Sequence, residues 1–136
     1  MPVESQDRRF GARQLPDTVD TIAPDGSEVR ILLSLAAGSS AHFRLDAGAT
    51  SRAGHHRTVE EIWYILEGQG EMWRRSGNDE EVIGLRPGLC LTIPLGTSFQ
   101  FRATCSNLSA FAVTIPAWPG DSGDEWVEVP PHWPIP

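Results

Sequence analysis

The residues HHRTVEEIWYILEG, at positions 55–68, decide the fold of this chain. Between Glu61 and Leu66, two isoleucines stand beside a tryptophan and a tyrosine, and large apolar side chains occupy alternate positions. β-Branched and aromatic residues favour strands, and a glycine such as Gly68 is typical of the turn that ends one. The stretch therefore predicts a β-strand over Glu61 to Leu66, followed by a turn.

Two candidate functional side chains stand at the start of this stretch. His56 and Glu61 are five positions apart, and this odd offset would place them on opposite faces of one regular strand. They can share a pocket only if the chain bends between them, and residues 57–60 leave room for a bend. We therefore expect His56 on one strand and Glu61 at the start of the next, with both side chains directed inward.

The residues around this stretch are spaced as in the two sequence motifs of the cupins. The first motif reads G-x(5)-H-x-H-x(3,4)-E-x(6)-G, and its positions fall on Gly48, Gly54, His56, Glu61 and Gly68. The second motif reads G-x(5)-P-x-G-x(2)-H-x(3)-N, and its first three fixed positions fall on Gly88, Pro94 and Gly96. From about Ser40 to Pro119 the chain resembles this family.

The same alignment shows where the chain departs from the cupin pattern. The first motif histidine falls on Gly54, the histidine of the second motif on Phe99, and its closing asparagine on Ala103. Of the four residues that hold the metal in a typical cupin, only His56 and Glu61 are in register. The strings TVEEIWYILEG, GEMWR, LTIPLGTSFQFR and PAWPG also resemble small single-domain bacterial cupins.

The resemblance implies an all-β fold, the cupin double-stranded β-helix, which is a jelly-roll-like barrel. The spacing of the other strand patterns agrees, because short apolar runs recur every 8 to 12 residues with Gly or Pro between them and no segment has a helical period. The remaining predicted strands are 18–23, 29–35, 41–46, 71–75, 80–84, 89–93, 99–103 and 108–115.

Length and composition predict one domain with two appendages. The 136 residues include 13 Gly and 11 Pro, which favour many turns over long helices. We divide the chain into an N-terminal arm at 1–16, a cupin barrel at 17–119 and a Pro- and Trp-rich tail at 120–136. Because proline cannot donate to a strand ladder, the tail should lie extended over the barrel, anchored by Trp118, Trp126 and Trp133.

Charge and hydropathy exclude several classes of partner. The net charge of −7 repels phosphate backbones and anionic lipid surfaces, so we expect neither a nucleic-acid partner nor a membrane partner. The longest apolar run, at 31–37, is too short to span a bilayer. Charged residues also stand where a signal peptide would need its apolar core, which leads us to expect a cytoplasmic protein.

Cys90 and Cys105 belong to no Cys-x-x-Cys pair. We expect both to be small buried residues in a reducing compartment, with a disulfide or a metal thiolate as the alternatives.

Three residues of this stretch are candidate ligands for a metal ion. His56 and Glu61 supply two ligands, whereas a first-row metal wants three or four from the protein. His55 would be the third, but it reaches the same pocket only through a β-bulge, since adjacent strand residues face opposite ways. The sequence leaves this site open, with Zn, Fe, Mn or Ni as the divalent metal, and we expect no other cofactor.

Without a metal, the pair predicts proton-transfer chemistry. A buried, ionised Glu61 needs a partner, and His56 can take and return a proton while the carboxylate fixes its tautomer. Metal-free cupins that act as epimerases or dehydratases use a similar acid/base arrangement. Trp63, Phe99 and Phe101 share the inward parity and would line the pocket, unless they simply pack the core. His42 is a further candidate for ligand contact, or a surface histidine.

Three functions follow. The first is an enzyme of the isomerase, dehydratase or cyclase type, with His56 as acid or base and Glu61 orienting it. The second is a non-catalytic cupin that binds or senses a small molecule. The third is a metal-dependent dioxygenase that uses His55, His56 and Glu61. The resemblance to small cupins also implies a homodimer.

Overall fold

The computed structural model describes residues 10–119 and 124–135, and within these ranges all regular secondary structure is β. No helix in the described part is long and apolar enough to cross a membrane. Eleven strands follow one another: β1 Thr21–Ile22, β2 Glu28–Leu35, β3 Gly38–Leu45, β4 Gly54–His56, β5 Glu60–Glu67, β6 Gly70–Ser76, β7 Asp79–Leu85, β8 Cys90–Ile93, β9 Ser98–Ala103, β10 Leu108–Ile115 and β11 Trp126–Glu128.

The strands form two antiparallel sheets. The six-stranded sheet has the order β1-β2-β3-β10-β5-β8, and the five-stranded sheet has the order β11-β4-β9-β6-β7. This arrangement confirms the all-β, jelly-roll-like class predicted from the sequence. Every strand of the barrel that the sequence predicts is present, with its ends shifted by at most a few residues.

The alternation along β5 places one row of its side chains in the core. Glu61, Trp63 and Ile65 are at most 4% exposed, whereas Ile62 and Tyr64 are more than 40% exposed on the other face. Trp63 joins the two sheets: it stacks on Phe43 of β3 and meets Phe101 of β9 edge to face, at ring-centroid distances of 5.4 and 5.0 Å. Such pairs add to the burial of apolar area that holds the sheets together.

Gly68 ends β5 for two physical reasons. Its φ of 84° lies in the left-handed region that glycine adopts without strain. A Cβ at this position would also overlap the backbone carbonyl of Asn107. The turn after the central strand therefore requires glycine, as the sequence pattern indicates.

The described part of the C-terminal tail is tied to the five-stranded sheet. Strand β11 pairs with β4 through Trp126 opposite His56, a pairing that the sequence did not reveal. Further along, the backbone amides of His132 and Trp133 both donate to the Gln100 side chain, which donates in return to the Trp133 carbonyl. Residues 1–9 of the predicted arm and 120–123 and 136 of the tail lie outside the described residues.

The prediction of buried cysteines is wrong. Cys90 and Cys105 are both free thiols, and both are exposed. Cys90 occupies an outward position on β8, opposite Tyr64 of β5, and Cys105 lies in the turn between β9 and β10. Strand alternation alone could not tell which face of β8 is covered.

Gly54 provides a test of how closely β11 is packed on β4. A Cβ at Gly54 would overlap the indole of Trp126 and lie 2.6 Å from the Val127 carbonyl oxygen. We expect Gly54→Ala to lower the free energy of unfolding by about 1–3 kcal/mol, as overpacked sites do. Chemical denaturation measures the change. Gly84→Ala is the matched control, because a Cβ at that strand position meets nothing within 4 Å; equal stabilities of the two variants would contradict the packing described here.

Candidate functional site

A small cavity lies between the two sheets, where β4, β5 and the turn before β2 meet. Its volume is about 10 Å³, which is room for a single water-sized group. Aromatic and acidic side chains dominate its wall. The lining residues are Ala23, Pro24, Asp25, Phe43, His56, Glu61, Trp63, Trp118 and Trp126.

The cavity brings His56 and Glu61 together. β4 ends at His56 and β5 begins at Glu60, so a bend separates the two side chains and both face inward. They are 7% and 4% exposed, and His56 Nε2 lies 3.6 Å from Glu61 Oε2. This distance is longer than a hydrogen bond, so the two groups face each other without a direct bond.

Glu125 makes the closest polar contact of His56. Its Oε1 lies 2.8 Å from His56 Nδ1, and the residue is 5% exposed. Thr58 Oγ1 donates to the other carboxylate oxygen at 3.1 Å, and the Arg57 amide donates to the Glu125 carbonyl. A carboxylate that accepts at Nδ1 keeps the proton on that nitrogen, so Nε2 of the neutral ring offers its lone pair towards the cavity and Glu61.

Burial governs the protonation of Glu61. Removal from water raises the pKa of this carboxyl above its ordinary value, and the negative charges of Asp25 and Glu125 add to the rise. The nearby His56 and the hydrogen bond from Trp63 oppose it. Trp63 Nε1 donates to Glu61 Oε1 at 2.6 Å, which fixes the carboxyl plane and leaves Oε2 directed at the imidazole.

Asp25 brings a second acid group to the cavity from the turn between β1 and β2. It is 6% exposed, and its Oδ1 accepts from both the amide and the hydroxyl of Ser27. Burial raises the pKa of Asp25 although these hydrogen bonds and His56 lower it. The turn itself follows from the Pro-Asp-Gly-Ser sequence, since Asp commonly accepts from the amide two residues on.

The described residues do not fit a metal held by three protein ligands. Trp126 and the backbone of β11 occupy the space that a side chain at Gly54 would need, and Phe99 is fully buried. His55 pairs with Val127 directly beside the pairing of His56 with Trp126, so no bulge turns it inward. Across 10–119 and 124–135, no three His, Cys, Asp or Glu side chains are grouped to bind a metal ion. Of the ligand set of His55, His56 and Glu61 expected from the sequence, His56 and Glu61 share the cavity and His55 lies on the other face of β4.

Of the four residues expected to contact a ligand, the structure brings one to the cavity. Trp63 lines it. Phe99 and Phe101 instead pack edge to face against Trp63, with at most 2% exposure, so they form core rather than wall. His42 lies on the opposite face of β3 from Phe43, where burial and the nearby Arg30 hold its pKa below the usual range.

Sequence reasoning missed Asp25, Trp118, Trp126 and Glu125 as site residues. Trp118 and Trp126 were expected as anchors of the tail, but their approach to the cavity was not. Glu125 reaches His56 across 69 positions of the chain, and Asp25 and His56 are 31 positions apart. Neither contact has a local sequence signal, because both depend on which strands pair.

Comparison with solved structures identifies the fold. Ectoine synthase from P. lautus superposes with a TM-score of 0.71 at 21% identity, over 88% of this chain and 90% of that one. A predicted oxalate decarboxylase from Thermotoga maritima gives 0.64 at 24% identity, over 79% and 99%. A cupin domain from Schizosaccharomyces pombe gives 0.59 at 11% identity, over 66% and 64%. The chain therefore has the cupin fold.

No protein-family model matches the sequence, and no curated protein resembles it significantly. The likeness is one of fold alone.

The burial of Glu61 predicts a pH-dependent stability. Because the pKa is raised from 4.5 in the folded state, the stability that Glu61 contributes is complete below that value and is lost as pH rises through the folded pKa. Glu61→Gln removes this loss, so we expect it to be more stable than the wild type by about 1–3 kcal/mol at pH 8. The difference should vanish towards pH 4.

Urea denaturation from pH 4 to pH 8 measures this dependence. Glu60→Gln removes the same charge from the exposed neighbour and serves as the control. A Glu61→Gln variant that is less stable than wild type at pH 8 would show that the carboxylate is paired more strongly than it is desolvated.

Proposed function

We propose that this cupin-fold protein is an enzyme that transfers a proton on a small molecule, of the isomerase, dehydratase or cyclase type. One observation carries the proposal: the imidazole of His56 is buried with a carboxylate facing each of its nitrogens. A structural histidine needs one partner, whereas an acid/base histidine needs one nitrogen held and the other free to react. His56 meets the second requirement, because Glu125 holds Nδ1 and Nε2 faces Glu61 at 3.6 Å without a hydrogen bond.

The proposed roles divide between the two carboxylates. Glu125 holds Nδ1–H and stabilises the imidazolium that forms when Nε2 takes a proton from the substrate. Glu61, with its raised pKa, is available as the second acid/base group, 3.6 Å from Nε2. Orientation of the ring, assigned to Glu61 from sequence, passes to Glu125 in this scheme. A proton leaves one atom of the substrate through His56 and returns to another through His56 or Glu61.

Substrate entry requires movement at the cavity mouth. The cavity of about 10 Å³ is far below the roughly 300 Å³ of a typical ligand pocket. The half-buried Trp118 and Trp126 stand at its edge, and β11 is a three-residue edge strand that pairs with β4 alone. Short edge elements open at lower free energy than core strands, so we place the opening at β11, which carries Trp126.

The second candidate function is binding or sensing of a small molecule without turnover. The nearly closed cavity and the loss of two motif histidines to Gly54 and Phe99 favour it. Ectoine synthase and the predicted oxalate decarboxylase are enzymes by name and share the fold, which supports the catalytic candidate.

Solvent exchange tests the catalytic proposal without knowledge of the product. Small sugars, keto acids and amino compounds are incubated with the protein in D₂O, and deuterium incorporation at carbon is followed by NMR. We expect wild type to catalyse exchange in at least one compound and His56→Ala to lose it by about 100-fold or more. Glu125→Gln should lose about tenfold, as loss of a positioning carboxylate does.

His55→Ala is the matched control, since His55 is the half-exposed neighbour on the opposite face of β4. Its exchange rate should equal that of wild type. Equal exchange by wild type and His56→Ala would remove the catalytic role, and binding of a compound without exchange would leave the sensing candidate.

We further propose that two copies pair through the outer face of the six-stranded sheet. Outward residues of β5 and β10 form an apolar patch, made of Ile62, Tyr64, Leu66, Phe111, Val113 and Ile115, with the charged Glu60 at its end opposite Ile115. Monomers rarely expose such continuous apolar surface. Two chains of net charge −7 repel each other, so an apolar face is where a second copy approaches at least electrostatic cost. An isologous contact would pair the patch with itself.

The two exposed thiols report on this contact. Cys90 lies beside Tyr64 at the patch, whereas Cys105 lies in a turn away from it. We expect sedimentation to show a dimer, and labelling of Cys90 but not Cys105 to slow as the protein concentration rises. Tyr64→Glu should give a monomer with equal labelling of both thiols. Leu95→Glu, at an exposed turn, is the control, and concentration-independent labelling of Cys90 would overturn the proposal.

A further inference from the structure

The acid and base groups around the cavity are unequal in number. Asp25 and Glu61 line it and Glu125 stands behind His56, so three buried carboxyl groups face one imidazole. Among residues 10–119 and 124–135 no arginine lines the cavity, and the sequence contains no lysine. Buried carboxylates are stable only when a cation or hydrogen-bond donors compensate them. The described cavity wall supplies few cationic groups, so it favours a ligand that brings positive charge.

On the buried side chains of Asp25 and Glu61, one carboxylate oxygen each has no hydrogen-bond partner among the described residues. The hydrogen bonds of Asp25 all reach Oδ1, and the hydrogen bond of Glu61 reaches Oε1. Asp25 Oδ2 and Glu61 Oε2 therefore remain as acceptors, on side chains that are 6% and 4% exposed. Polar groups on buried side chains are usually hydrogen-bonded, so these two oxygens are available to a donor that enters the cavity.

Phe43, Trp63, Trp118 and Trp126 make up most of the remaining wall. Phe43 stacks on Trp63 with an interplanar angle of 24°, and the half-buried Trp118 and Trp126 complete the cavity. Aromatic faces carry negative electrostatic potential and attract organic cations, and tryptophan does so most strongly. Aromatic faces and free carboxylate oxygens thus favour the same kind of ligand, whereas an anionic ligand would be repelled by both.

We infer that the cavity binds the primary ammonium head of a small amine. A volume of about 10 Å³ admits a group the size of water, which an ammonium head matches and a trimethylammonium head exceeds. The –NH₃⁺ group donates to Asp25 Oδ2 and Glu61 Oε2, and the carbon chain leaves between Trp118 and Trp126. The inference rests on the proposed function for the location of the site, and it names the substrate class.

Calorimetric titration with n-propylamine hydrochloride tests the inference. We expect a Kd on the order of millimolar, as suits a ligand of so few atoms. 1-Propanol, sodium propionate and tetramethylammonium chloride should each bind at least about tenfold more weakly. Asp25→Asn and Glu61→Gln keep the shape of each side chain and should each weaken propylamine binding by about tenfold or more. Asp79→Asn, on the edge strand β7 far from β11 in the sheet order, is the control for charge alone.

Either of two results would overturn the inference: tetramethylammonium or 1-propanol binding as tightly as propylamine, or unchanged propylamine binding in both cavity variants. The two proposals fail separately. If wild type catalyses no deuterium exchange but His56→Ala still binds propylamine, the catalytic function is removed and the ammonium site is kept. If wild type catalyses exchange in sugars or keto acids but does not bind propylamine, the ammonium site is removed and the catalytic function is kept.

Discussion

The contact between Glu125 and His56 is the constraint on which the site depends. An imidazole buried in a barrel has no defined tautomer until one nitrogen is bonded, and the 2.8 Å contact at Nδ1 supplies that bond. Glu125 can reach Nδ1 only because β11 pairs with β4, which places Trp126 opposite His56. The three-residue strand at the end of the chain therefore decides the chemistry of a residue in the middle of it.

The same strand accounts for the departures from the cupin pattern. The motif positions at Gly54 and Phe99 lie opposite each other in the pairing of β4 with β9, and the indole of Trp126 contacts both. A histidine at Gly54 would collide with the indole, whereas a phenylalanine at 99 offers it an edge-to-face partner at a centroid distance of 5.7 Å. Two positions that hold metal in a typical cupin thus lie here against one aromatic side chain, that of Trp126. The polar groups added around His56 are instead the carboxyl groups of Asp25 and Glu125.

The sequence predicts the barrel well because its signals are local. Alternation in β5, glycine at 68 and the Pro-Asp-Gly-Ser turn each depend on near neighbours along the chain. The offset between His56 and Glu61 is also local, so the bend that brings them together follows from it. Glu125 and Asp25 carry no such signal, because contacts over tens of residues depend on which strands pair. Phe99 and Phe101 have the expected inward parity, but parity does not separate cavity wall from packed core.

In the proposed function, closure of the cavity and activation of His56 are coupled, because β11 carries Trp126 and directly follows Glu125. If β11 moves to admit a ligand, Glu125 leaves Nδ1 and the imidazole loses its fixed tautomer. If β11 returns, Trp126 covers the ligand and Glu125 again defines Nε2 as the free nitrogen. An open state would thus bind without reacting, and only the closed state would combine a dry cavity with an oriented base. Under the proposed function, the nearly filled interior is the closed and reactive arrangement, and the free energy of pairing β11 with β4 sets how often the cavity opens.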